Sequence, residues 1–235
     1  MQNWPPEYTV RRSAKAKRPS IRINLYHHIE VVIPERARFV DPLAILNEHK
    51  DWVLKQKAKS RPLIETAKPG LPDTVSFPGL DRHYQISYHP RETSRIYLQQ
   101  ENSVITLSGN LDRTEILRSK LLNWLNQEAE KLLYLQVMYL NDLHGFSAES
   151  FKVRFMKTRW GSCNTAKKIT LNSQLVFFPL PLIQHVILHE LCHTRYMSHG
   201  PRFWGLLKKL DPLTEVHNKA LAHGHEFLPR WCCAR

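Results

Sequence analysis

Four histidines lie within residues 185–204, HVILHELCHTRYMSHGPRFW, and the pentapeptide HELCH places an acid between two of them. On a helix, residues four apart share a face, so His189 and His193 can bind one metal ion together, while Glu190 lies about 100° around the helix. Zinc accepts imidazole ligands, and a site with three protein ligands keeps one position for water. A bound ion acidifies water, and a carboxylate can take the proton as the water attacks a carbonyl. The pattern predicts a hydrolytic zinc site with Glu190 as general base.

The competing interpretation is a buried helix whose histidines are satisfied by hydrogen bonds in the core. An apolar stripe marks one face of the predicted helix: Ile183, Ile187 and Leu191. The histidines fall roughly 200° around from that stripe, which favours a packed face opposite a polar one. His185 also pairs with His189 at a spacing of four, but no acid follows it in the matching position. We expect His185 to support the ligands or to line the wall of the site.

A third ligand must come from beyond the pentapeptide, and His199 is the nearest candidate. A straight helix would rotate His199 about 240° away from the face of His193, so the helix must end between Tyr196 and His199. The Gly200-Pro201 pair favours a break close by, with a new helix beginning at Pro201. Rival ligands lie further along the chain: Glu215, His217, His223 and His225. We expect His199 to be the third ligand.

The first part of the chain, residues 1–110, is predicted to be a small, basic, mostly β unit. Strands are predicted in IRINLYHHIEVVIP, around a turn at His27-His28, and in HYQISYHP, SRIYLQQ and SVITLSG. A helix is predicted over DPLAILNEHKDWVLKQKAKS, with Asp41 as its cap.

The second part, residues 111–235, is predicted to hold the catalytic elements. A long helical pattern runs from Thr114 to about His144 and is ended by Gly145. Strands FKVRFM and KKITLN flank RWGSCNTA, and the histidine helix follows over PLPLIQHVILHELCHTRY. The predicted fold class is α+β: an N-terminal mostly β unit with a helix, followed by a zincin-like helix-strand-helix core.

Composition restricts the partners and the compartment. Lys and Arg number 34 against 21 acidic residues, and residues 1–61 alone hold thirteen basic and six acidic side chains. This surplus favours contact with nucleic acid or nucleotides, although it also keeps a protein soluble without any partner. No stretch approaches the roughly 20 apolar residues that span a membrane, and no signal-peptide core is present. Four cysteines do not make a disulfide scaffold, so we expect a cytoplasmic protein without membrane contact.

The blocks RWGSC, KITLN, HELCH, the His199 position and PRFW, in this order and close spacing, resemble the YgjP-like family of predicted metal-dependent hydrolases. That family is related to the SprT-like and other zincin metallopeptidases, and the match is most specific over residues 154–212. The resemblance implies one zinc ion, or another divalent ion, bound by His189, His193 and His199 with Glu190 as general base.

The resemblance also bears on residues around this centre. It implies that a strand segment lays substrate along a sheet edge, through Arg159, Trp160, Gly161 and Ser162. The competing interpretation packs Trp160 in the core and pairs Arg159 with an acid. In relatives we expect a bulky aromatic where this chain has His185. Phe203 and Trp204 are expected to pack the helix that positions His199.

Three function hypotheses follow. The first is a zinc metallopeptidase acting on a protein or peptide, with Tyr196 or Arg159 as donor to the developing oxyanion. The second is a metal-dependent nucleoside triphosphate diphosphatase or phosphohydrolase; such an activity has been attributed to a YgjP-like member, but no Gly-rich phosphate loop supports it. The third is a DNA-associated protease or a DNA-binding module with structural zinc. Structural sites are usually closed by four ligands, often cysteines, and Cys192 points away from the histidine face.

Overall fold

The computed structural model describes residues 4–23, 29–37, 39–58 and 70–233. Contacts divide the chain into two compact units, 1–66 and 67–235. The predicted boundary at residue 110 does not coincide with this division. The reason is that the strands between residues 74 and 109 pack against the long helix that follows them and so belong to the second unit.

The first unit is a three-stranded sheet with two helices. Strands β1 (Tyr8–Ser13), β2 (Ser20–Ile23) and β3 (Ile29–Pro34) have the order β1-β3-β2, with β1 parallel and β2 antiparallel to β3. The helices are α1 (Pro42–Glu48) and α2 (Lys50–Ala58). Their apolar side chains join those of β3 in one core: Ile29, Val31, Ile33, Ile45, Leu46 and Val53.

Local signals in the first unit were only partly sufficient to predict its elements. The carboxylate of Asp41 accepts a hydrogen bond from the backbone of Leu43, which confirms the predicted cap. The single helix predicted from Asp41 onward is instead two helices, because the backbone of His49 leaves the helical region. The predicted turn at His27-His28 and the end of that predicted helix lie outside the described residues.

The second unit begins with a four-stranded sheet and a long helix. Strands β4 (Thr74–Phe77), β5 (Arg82–Pro90), β6 (Tyr97–Glu101) and β7 (Val104–Gly109) have the order β4-β5-β7-β6. Helix α3 (Thr114–Leu143) follows, and Gly145 at φ 59° lies just beyond its end, as predicted. None of the helices among the described residues combines the length and the apolar character needed to cross a membrane.

An aromatic cluster fixes this sheet on α3. The rings of Tyr84 and Trp124 meet edge to face with centroids 5.0 Å apart, and Phe77 stacks on Trp124 at 6.0 Å. The hydroxyl of Tyr84 donates to the carboxylate of Glu128 at 2.7 Å, and both side chains are buried. Sheet and helix therefore share one core.

The remaining elements include those that the sequence predicts to hold the candidate site. Strands β8 (Ser150–Arg154), β9 (Gly161–Cys163) and β10 (Lys168–Asn172) have the order β8-β10-β9, with β10 parallel to β8 and antiparallel to β9. A 3-10 turn at Ser173–Phe177 leads into α4 (Leu180–His193), α5 (Pro201–Leu210), α6 (Thr214–Ala222) and α7 (Arg230–Cys233). The mixture of sheets and helices confirms the α+β class.

Helix α4 differs from its prediction in length and in environment. It ends at His193, before Tyr196, because the Thr194 hydroxyl donates to Leu191 O at 2.7 Å and the chain closes a turn on Cys192 O. Helix α5 begins at Pro201 as predicted. The face expected to be polar is also largely covered, since other elements pack on both sides of α4: His185 and His193 are buried and His189 is half-buried.

We predict that Tyr84→Phe lowers the free energy of unfolding by about 1–3 kcal/mol, because a buried carboxylate oxygen of Glu128 loses its donor. Urea unfolding of the full chain measures this change. Tyr97→Phe is the matched control, since Tyr97 is 48% exposed. Equal effects of the two substitutions would contradict the prediction.

Candidate metal centre

Three histidines from two elements converge at the end of α4. His189 and His193 lie one turn apart on α4, and His199 follows from the turn before α5. The Nε2 atoms of His189 and His199 are 3.0 Å apart, and one ligand nitrogen from each ring lies within 4.8 Å of the others. The early end of α4 makes this possible, since a continued helix would carry His199 to another face.

A buried phenylalanine supports all three rings. Phe203 lies in the first turn of α5, is fully buried, and has its ring centroid 4.9, 4.6 and 4.7 Å from those of His189, His193 and His199. Trp204 adds a tilted contact with His199 at 5.6 Å. The sequence predicted that both aromatics pack the helix that positions His199, and Phe203 in addition contacts the three imidazoles directly.

The protonation of the histidines suits metal binding. Burial, and then the neighbouring His193, His199 and His185, lower the pKa of His189 to about 3. Burial also lowers the pKa of His193, whose Nδ1 donates to Tyr196 O at 3.1 Å and leaves Nε2 as the free ligand atom. Metal ligation requires a neutral imidazole, and a hydrogen bond from the other ring nitrogen orients it.

Glu190 is buried beside these rings without a hydrogen-bond partner for one of its oxygens. Its side chain is 5% exposed, and Oε2 has no partner among the described residues. Burial raises the pKa of Glu190 from 4.5 to about 8, and the guanidinium of Arg159 opposes that shift. A buried polar atom without a partner requires an explanation, and an absent ion, water or substrate supplies one here.

Strand β9 runs alongside Glu190 at contact distance. A Cβ atom placed on Gly161 would lie 2.5 Å from Oε1 of Glu190, so any other residue here would displace the Glu190 side chain. Ser162 is paired with Thr170 of β10, and among the described strands none pairs with the other edge of β9. The structure thus places Gly161 and Ser162 on an open sheet edge next to the carboxylate.

Asn172 holds the segment that leads into β9, and sequence reasoning missed it. Its side-chain amide donates to Met156 O at 2.8 Å and to Arg159 O at 3.1 Å, while its backbone N–H donates to Trp160 O at 2.8 Å. Asn172 is fully buried at the end of β10. Its only sequence signal was its position as the last letter of the KITLN block.

Trp160, Arg159 and Tyr196, the other nominated residues, have different surroundings. Trp160 donates its indole N–H to Leu221 O at 3.2 Å and meets Phe178 edge to face at 4.6 Å. These contacts favour the packing interpretation for Trp160, whose side chain is half-buried. Arg159 is exposed, and its charge acts on Glu190. Tyr196 is half-buried and contributes its carbonyl to His193.

The rival third ligands and His185 lie apart from the three rings. Glu215 is exposed and paired with Lys208 at 2.8 Å. His185 is buried against Asp211, and His217 contacts the same carboxylate. His223 and His225 lie near each other, with centroids 6.5 Å apart, and are outside the group that contains His189.

These observations fit a divalent metal ion. Three imidazole nitrogens converge, His189 and His193 are neutral at neutral pH, and the donor set is the kind that zinc prefers. The adjacent buried carboxylate, Glu190, lacks a partner that a positive charge or a water would provide.

We predict that Glu190→Gln stabilises the chelator-treated protein, and more strongly at higher pH. Because the folded-state pKa is raised, the folded protein retains between pH 4.5 and 8 a proton that the unfolded chain releases, and the carboxyl therefore costs stability as pH rises. The advantage of the glutamine should grow by about 2–3 kcal/mol between pH 5 and pH 7, measured by urea unfolding. The control is Glu92→Gln, at an exposed position. A pH-independent difference would contradict the raised pKa.

The comparison with protein families agrees with this geometry. A family profile described as "YgjP-like, metallopeptidase domain" matches residues 17–224. Searches of curated proteins and of solved structures found no match. The match covers most of the chain, including every residue of the histidine cluster and the strand beside it, and a metallopeptidase domain implies a divalent metal ion. The chain therefore belongs to the YgjP-like metallopeptidase family.

Proposed function

We propose that this protein is a zinc-dependent peptidase whose ion is held by His189, His193 and His199, with Glu190 as general base. The observation that carries the proposal is the convergence of the three imidazoles beside a buried carboxylate without a partner. The membership in a metallopeptidase family supports it.

In this proposal the zinc ion activates the carbonyl and the water, and the protein moves the proton. When bound, zinc polarises a carbonyl group and makes water more acidic. Glu190 takes the proton from the attacking water and delivers it to the leaving nitrogen. Both transfers are efficient when the pKa of the carboxyl lies close to neutral pH. Burial shifts the pKa of Glu190 in that direction, and the positive charge of Arg159 and of an ion both shift it back.

The substrate in this proposal is an extended segment of a protein or peptide. The open edge of β9 passes Glu190, and an added strand there would bind through its backbone groups. Of the two nominated oxyanion donors, Arg159 is the better supported because its charge already acts on Glu190. Contact of the basic first unit with nucleic acid or nucleotides stays a prediction from its charge.

We predict that His199→Ala binds one zinc ion fewer per chain than the wild type. Loss of one of three ligands lowers the affinity, so the ion should not survive dialysis against a weak chelator. Elemental analysis of proteins purified side by side measures the difference. Glu215→Ala, which removes the rival carboxylate, should retain the wild-type content. Loss of zinc in Glu215→Ala with retention in His199→Ala would reassign the third ligand.

We predict that Glu190→Gln retains zinc and loses at least about 10²-fold in hydrolysis of an unfolded protein substrate, because the general base is absent. Cleavage is measured by release of new amino termini, with Glu215→Gln as the control. A panel of nucleoside triphosphates is assayed in parallel for phosphate release. Retained cleavage would refute the role of Glu190, and phosphate release without cleavage would favour the phosphohydrolase hypothesis.

A further inference from the structure

A second group of metal-ligating side chains lies on the same helix, one turn before the first. His185 comes from α4, Asp211 follows α5, and His217 lies on α6. The Nδ1 atoms of His185 and His217 lie 2.5 and 2.8 Å from the same oxygen, Oδ2 of Asp211, and the three ligand atoms are within 4.8 Å of one another.

We propose that His185, Asp211 and His217 form a second binding site for a divalent transition-metal ion, separate from the first and structural in role. Two imidazoles and a carboxylate suit zinc, and the same donors accept cobalt. The site shares no ligand with the group around His189, so each of the two sites can be removed without the other.

The hydrogen-bonding positions of His185 carry the argument. Its Nδ1 faces Oδ2 of Asp211, and its Nε2 faces Oδ1 of Asn218 at 3.1 Å. A neutral imidazole has one proton for these two acceptors. When Nε2–H donates to Asn218, Nδ1 presents a lone pair on the side of the carboxylate, and this is the arrangement that a shared cation would complete.

The pattern is that of a metal ligand with its supporting acceptor. Histidines that bind metals almost always donate the other ring N–H to an oxygen, which fixes the tautomer and the ring orientation. Asn218 supplies that oxygen for His185. In the rival arrangement Nδ1–H donates to Asp211 and the Asn218 amide is turned to donate to Nε2, which gives a hydrogen-bonded network with no affinity for metal.

Asp211 presents one carboxylate oxygen to both histidines, as a shared ligand would. Its Oδ1 accepts the backbone N–H of Leu213 at 3.1 Å, and only Oδ2 faces the two histidines. A tetrahedral ion with bonds of about 2.0–2.1 Å requires ligand atoms roughly 3.3 Å apart, so the three side chains must separate by less than about 1 Å. His217, on a side chain that is 14% exposed, has room to do so.

Burial indicates the role of this site. His185 is 1% exposed and Asp211 8%, and their elements, α4 and the turn between α5 and α6, contribute to the same core. An ion held there would link α4 to α6 and stabilise the fold. Its expected effect is a higher melting temperature, with no direct part in hydrolysis.

The test is the zinc and cobalt stoichiometry of the full chain after removal of metal with a chelator, titration and gel filtration. We expect two ions per chain in the wild type, one in His217→Ala, one in His199→Ala, and none in the double variant. The control is His223→Ala, a histidine next to α6 that belongs to neither group, which should bind two. Zinc should also raise the melting temperature of His199→Ala, which retains only the second site.

If the wild type binds one ion, His217→Ala still binds it, and zinc does not raise the melting temperature of His199→Ala, the second site is overturned and the three side chains form only a hydrogen-bonded network. If His217→Ala loses a bound ion while His199→Ala retains the wild-type number, the proposed catalytic site is refuted instead. The two failures are therefore distinguishable. Asn218→Ala retains all three ligands and should bind at the second site about 10–100-fold more weakly. An unchanged second affinity in that variant would also contradict the proposal.

Discussion

The contact between Gly161 and Glu190 is the constraint on which the site depends. Strand β9 and helix α4 approach so closely there that a single methyl group would collide with the carboxylate. The contact removes Glu190 from solvent and brings an open sheet edge beside it, so the burial of the proposed base and the access proposed for an extended substrate have one cause. Asn172 maintains this approach by bonding to the backbone of Met156, Arg159 and Trp160. Its effect on Glu190 is indirect, through the path of the chain into β9.

Helix α4 is largely buried on both faces, although three histidines and a glutamate lie on it. Its apolar stripe gains free energy by burial, whereas each buried polar side chain costs free energy unless it finds a partner. His193 donates to a carbonyl and His185 contacts Asp211, but Oε2 of Glu190 has no protein partner among the described residues. A site that binds a cation near Glu190 would offset this cost on binding. Before a cation binds, the apolar contacts of α4 must offset the free-energy cost of burying Glu190.

Sequence reasoning succeeded where the determining interactions are local. Helical periodicity alone places His189, Glu190 and His193 on one turn, and Pro201 alone indicates where α5 begins. It failed where the cause lies in distant residues. The position of Phe203 under the histidines depends on how α5 crosses α4, and the division at residue 66 depends on the packing of Tyr84 against α3. Neither the contact of Phe203 with the histidines nor that of Tyr84 with α3 is indicated by hydrophobic periodicity in the sequence.

The spacing of four repeats along α4, so periodicity could not tell which of His185, His189 and His193 act together. The elements that cross the helix make that distinction. The turn before α5 brings His199 to the C-terminal pair, and Phe203 packs against all three rings. One turn earlier, α6 and the end of α5 bring a carboxylate and another imidazole to His185 instead. Tertiary packing thus divides a row of equally spaced histidines into two groups. His185 lies with Asp211 and His217, a grouping that the sequence around His185 does not predict.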